Sequence, residues 1–128
     1  MNTSKKVLAA RLASAAMFVA LGSIPAVANA SGASTNSLSS CPSGYLCLWS
    51  GTSYTGTIQK FSSTGSYHAI TLPTTGSLYN NRTKRSNVYE GSGGSGVWAC
   101  FNPGAKNAAL SGWLTSAGSV YLSTSTNC

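Results

Sequence analysis

The sequence predicts an all-β domain, a sandwich or partly closed barrel, on three observations. Every plausible regular element from residue 41 onward is a short run of β-branched, aromatic or leucine residues bounded by Gly, Ser, Thr or Asn clusters. The chain after residue 30 holds 13 glycines and 20 serines, which are poor helix formers. All four cysteines lie in that same stretch, an even number in a small chain, as in exported domains that rely on disulfides.

Taken from the N-terminus, residues 1–30 read as a secretory signal peptide. Lys5, Lys6 and Arg11 precede an apolar run over 12–27, and Ala28-Asn29-Ala30 is a small-x-small cleavage site. The run is too short for a membrane span and leads to no stop-transfer charges. Residues 31–40 contain one hydrophobe beyond alanine and are expected to be a flexible Ser/Gly/Thr-rich tail. The folded domain is then 41–128. Its strand candidates are residues 45–50, 56–61, 68–72, 87–90, 97–101 and 119–122; in the second of these, Ile58 alternates with Thr57 and Gln59, which suits a half-buried strand. Residues 105–110 could form at most one helical turn. The glycine-rich run 91–96 is followed by only 32 residues, too few to fold alone, so it reads as a loop within one domain.

Charge narrows the function. Eight basic residues face a single acid, Glu90, for a net +7. Removing the leader takes away three of the eight and leaves +4 on 98 residues. One carboxylate supports neither paired-carboxylate glycoside hydrolysis nor an all-oxygen calcium cage. His68 and Glu90 lie in no nucleophile or HExxH motif, so no enzyme is expected and no catalytic residue is assigned. Only Arg82, Lys84 and Arg85 cluster, which is too little for nucleic acid.

Cys41, Cys47, Cys100 and Cys128 allow three disulfide pairings. The turn-forming Pro42-Ser43-Gly44 favours Cys41 with Cys47, leaving Cys100 with Cys128. On the chain-entropy account these loops of seven and 29 residues contribute about 2.4 and about 3.6 kcal/mol. A zinc site would want paired CxxC spacing, which is absent.

Trp49, four residues, Tyr54, one residue and Gly56, with Phe61 beyond, resemble the Greek-key signature of the βγ-crystallin superfamily. The aromatics can pack as a corner across a folded hairpin, while Gly56 supplies a backbone conformation closed to residues with a Cβ. Together with the leader, the Cys-Pro-Ser-Gly-Tyr-Leu-Cys run at 41–47 and the Ser-Leu-Tyr-Asn-Asn-Arg-Thr run at 77–83, the chain resembles the secreted actinobacterial peptidase inhibitors whose type member inhibits metalloproteinases. A second, degenerate signature is expected near 97–104, with Asn102 in place of a corner aromatic.

The resemblance implies a single-domain Greek-key βγ-crystallin-like sandwich with two disulfides. It implies inhibition through an exposed loop that offers a bond between a cysteine and an apolar residue. Matching 97–101 to that loop places the bond at Cys100-Phe101, with Ala99 and Asn102 beside it. The type member closes its loop with a nearby cysteine, whereas here the next one is Cys128. The calcium signature of such folds begins correctly at Asn80-Asn81 but then places Lys84 and Arg85 where hydroxyls belong, so no metal and no cofactor are expected.

The resulting expectation is a secreted, extracellular monomer that inhibits extracellular proteases, thermolysin-like metalloproteases first and serine proteases as a further class, without stable membrane association. The alternative is a cell-wall glycan-binding or toxin-like module using Trp49, Tyr54, Trp98, Trp113 and the basic cluster.

Overall fold

A computed structural model describes residues 37–128; the expected signal peptide and the first six residues of the expected tail lie outside them. Within the described residues there are eight strands and no α-helix: β1 Tyr45–Trp49, β2 Ile58–Phe61, β3 Tyr67–Ala69, β4 Ser77–Asn81, β5 Ser86–Tyr89, β6 Trp98–Phe101, β7 Lys106–Asn107 and β8 Ser119–Leu122. They form two antiparallel sheets, ordered β2-β1-β4-β7 and β3-β8-β5-β6. Each half of the chain builds three strands of one sheet and sends its third strand, β3 or β7, to the edge of the other. The two Greek keys are thereby interlocked.

The registers reveal an internal two-fold correspondence. Trp49 pairs with Ile58 and Ser77, and Tyr89 pairs with Trp98 and Ser119. Trp49 thus corresponds to Tyr89, Ser77 to Ser119 and Phe61 to Phe101. The corner hydrogen bonds repeat as well. Ser77 Oγ donates to the Gly51 carbonyl (2.7 Å) and accepts from Tyr54 N–H (2.9 Å); Ser119 Oγ donates to the Gly91 carbonyl (2.6 Å) and accepts from Gly94 N–H (2.9 Å). Gly56 and Gly96, at φ +85° and +80°, end the two corners. The second signature therefore runs from Tyr89 to Gly96, and not over 97–104 as the sequence suggested; Gly94 stands at the position of Tyr54, which hid it.

Alternation along the strands explains the layers. Leu46, Leu48, Phe61 and Leu78 from one sheet meet Val88, Val120 and Leu122 from the other, with Leu110 and Ala117 closing the core. The opposite face of β1 is also buried: Cys47 and Trp49 form a second cluster with Cys41, flanked by Tyr45, Tyr54, Ile58 and Tyr79. Both disulfides take the favoured pairing, Cys41–Cys47 and Cys100–Cys128.

Four local expectations change. Ser77–Asn81 is a central strand that its Asn pair and polar ends concealed. Residues 105–110 contribute the two-residue strand β7 instead of a helical turn. The helical pieces are 3-10 turns at Leu38–Ser40, Ser92–Gly94 and Gly112–Ser116. The first of these lies at the end of the expected flexible tail and carries a Ser37/Ser40 capping box.

Candidate functional site

Ala99, Cys100 and Phe101 lie in β6, an edge strand, and not on an exposed loop; Asn102 follows it. Ala99 and Phe101 are opposite Val88 and Ser86 and face the core, and Phe101 packs against the main hydrophobic cluster, as Phe61 does at the corresponding place. Trp98 and Cys100 lie on the outer face. The period-two pattern that made 97–101 a strand candidate also dictates this inward direction for Phe101.

The hydrogen-bond phase of β6 matters for recognition. Glu90 N–H donates to the Val97 carbonyl (2.8 Å), so in an antiparallel ladder Val97, Ala99 and Phe101 bond toward β5 while the backbone groups of Trp98 and Cys100 point to the open edge. Val97 and Trp98 are also half-exposed, at 53% each. An edge strand with unpaired backbone and leading apolar side chains is a template for another extended chain.

Both ends of this strand are held. The 91–96 arm is tied by Gly91 N–H to the Ser95 carbonyl (2.8 Å) and by the Ser119 bonds. At the far end, Cys100 is bonded to Cys128, whose N–H donates to Asn102 Oδ1 (2.9 Å). Asn80, fully buried, divides its amide N–H groups among the carbonyls of Lys84, Phe101 and Asn102, each at 3.0 Å, and accepts from Ser86 Oγ (2.9 Å). In the sequence Asn80 belongs to the 77–83 run of the family resemblance and to the incomplete calcium signature; in the structure it fixes the backbone on either side of the β6 terminus. An asparagine pair closing an apolar run just before a turn was the available signal.

The basic cluster is largely consumed internally. The Arg82 guanidinium is buried and donates to the carbonyls of Arg85 (2.6 Å) and Ser123 (2.8 Å) and to Ser86 Oγ (3.0 Å); burial holds it below the ordinary arginine range. Arg85 donates to the Asn127 carbonyl (2.9 Å) and Lys84 to Thr126 Oγ1 (3.3 Å), so the cluster pins the C-terminal segment. Of the aromatics considered for glycan binding, Trp49 is fully buried beside Tyr54, and Trp113 packs on the core. Trp98 alone of those four is half-exposed.

A family model described as peptidase inhibitor family I36 matches residues 34–101, more than half of the chain. The chain belongs to peptidase inhibitor family I36. The match spans β1 to β6 and ends at Phe101, leaving β7, β8 and Cys128 beyond it. A solved structure titled "Evolution of the eye lens beta-gamma-crystallin domain fold" is similar at a TM-score of 0.55 and 12% identity, covering 66% of this chain and 90% of that one, which shows the βγ-crystallin fold. No curated protein matches. Membership of family I36 supports a protease-inhibitor role and a non-catalytic protein, and the disulfides are consistent with secretion.

Proposed function

We propose that the chain is a secreted inhibitor of extracellular proteases, thermolysin-like metalloproteases among them, and that it engages the active site through residues 97–102. The observation that carries this reading is the pair Val97 and Trp98, half-exposed at the head of an edge strand whose far end is locked. Proteases bind their substrates as extended chains, so a pre-formed strand with open backbone groups enters the cleft at little ordering cost. With Phe101 in the core, the apolar contact with the enzyme falls to Val97 and Trp98, while the backbone of Cys100, in the candidate bond, faces the open edge. Should the Cys100-Phe101 bond be cut, neither side can leave: Cys100 is held by Cys128, and Phe101 by the core and Asn80. A retained, pre-aligned amine resists release of product and favours resealing.

The experiment is inhibition of a thermolysin-like and a subtilisin-like enzyme by the secreted chain, with mass spectrometry for a cut between Cys100 and Phe101. No inhibition of either enzyme at micromolar inhibitor would sink the proposal. Phe101→Ala should lower stability by about 3 kcal/mol by emptying core volume, whereas Val97→Ala and Trp98→Ala should weaken inhibition at a smaller cost in stability, for Trp98→Ala about 1 kcal/mol from the lost stack on Tyr89.

A further inference from the structure

The outer face of the β3-β8-β5-β6 sheet carries one aromatic ring from each of its four strands. Trp98 stacks on Tyr89 (6.1 Å between ring centroids, 28° between planes), Tyr89 meets Tyr67 edge-on (5.3 Å, 79°), and Tyr67 lies against Tyr121 (5.1 Å, 39°). Trp98 and Tyr67 remain half-exposed, at 53% and 50%. Asn87, buried on the same face, donates from Nδ2 to Tyr89 Oη (3.3 Å), and its Oδ1 has no partner in the protein.

The internal two-fold supplies a control for what such a face ordinarily holds. On the outer face of the other sheet, the positions corresponding to Cys100 and Tyr67 are Lys60 and Lys106, by their pairing with Cys47 and Tyr79. Lys106 there places its ammonium over the Tyr79 ring, 4.9 Å from the centroid. Lysines at sheet edges are an ordinary guard against association. The sheet bearing Tyr67 has replaced both cations with a disulfide and a ring, and put Trp98 where the other has Ile58. The result is a row of rings and phenol hydroxyls without a charge, a surface that offers nothing to a polyanion. Flat C–H faces bearing equatorial hydroxyls match it: the rings stack, and the phenol hydroxyls take hydrogen bonds.

We infer that this face binds a neutral, β-linked polysaccharide, with Trp98 and Tyr67 as stacking platforms and the Tyr67 and Tyr121 hydroxyls as polar contacts. Binding there would hold a secreted inhibitor on an extracellular matrix. The inference is independent of the inhibitory reading except that both use Trp98, so Tyr67 separates them.

The test is retention of the secreted chain on insoluble chitin and on insoluble cellulose, with alginate beads as the anionic arm, alongside tryptophan fluorescence on adding chitohexaose or cellohexaose. Retention on either neutral polymer is expected, falling about tenfold in affinity in Tyr67→Ala and in Trp98→Ala and surviving in Tyr67→Phe, while Tyr67→Ala keeps full protease inhibition as evidence that it is folded. Failure to bind both neutral polymers, binding to alginate alone, or undiminished retention of a Tyr67→Ala/Trp98→Ala double variant would each overturn it.

Discussion

Tyr67 stands edge-on to Tyr89 at 5.3 Å and 79°, repeating the arrangement in which Tyr54 meets Trp49 at 5.2 Å and 76°. In the first Greek key both aromatics come from one hairpin. In the second, Gly94 leaves the corner empty, and a ring from the crossing strand β3 fills it. The two halves of the chain are therefore joined by an aromatic contact that neither half makes alone. A Cβ at Gly94 would run into the Tyr67 ring, and its φ of +81° disfavours any other residue. Gly94→Ala is expected to destabilise by about 1–3 kcal/mol. In urea unfolding the double variant Gly94→Ala/Tyr67→Ala should lose less than the sum of the singles, because removing the ring removes the clash.

Ser77 and Ser119 should behave as a matched pair. Each serves two backbone groups of its corner, and both are buried. Ser77→Ala and Ser119→Ala leave those groups unpaired, for an expected loss of about 1–3 kcal/mol each. Equilibrium denaturation of the two variants, run side by side, would show this as similar drops in midpoint.

Removal of the disulfides should be unequal. By loop length alone, Cys100–Cys128 is worth about 3.6 kcal/mol and Cys41–Cys47 about 2.4. Paired Cys→Ala variants followed by thermal unfolding would give the ranking. Loss of Cys100–Cys128 should also weaken protease inhibition, since it frees the end of β6.

Alkaline pH should find a specific weakness at Tyr67. Repulsion from a charged Tyr89, then desolvation, a hydrogen bond with Tyr89 and repulsion from Tyr121, raises its pKa above the usual 10.0. The fold thus favours the neutral phenol. Its contribution is complete below the unfolded value and disappears as pH rises through the folded one. Stability measured from neutral pH into the alkaline range should fall more in the wild type than in Tyr67→Phe.

The sequence made the sandwich class legible because short alternating runs between turn residues have few other solutions. Six strands were visible within a residue or two at most ends. The two that were not, Ser77–Asn81 and Lys106–Asn107, are polar, and what makes them strands is pairing with distant segments. The disulfides followed from one turn. Around the candidate bond, the family resemblance pointed to residues 97–101 but could not show which way Phe101 points. Alternation with exposed Trp98 could have shown it, since neighbours on a strand face opposite sides. The ring row was hidden because its four members are scattered between residues 67 and 121 and become adjacent only through register.

The most direct test is the inhibition constant against a thermolysin-like protease for the wild-type chain, Val97→Ala and Trp98→Ala. Inhibition by the wild type, weakened about 30-fold by Trp98→Ala, a truncation worth about 2 kcal/mol, and less by Val97→Ala, with both variants still folded at the assay temperature by their unfolding curves, is the expected result. Inhibition indifferent to both substitutions would place the contact elsewhere on the molecule and contradict the assignment of residues 97–102 as the protease-binding segment.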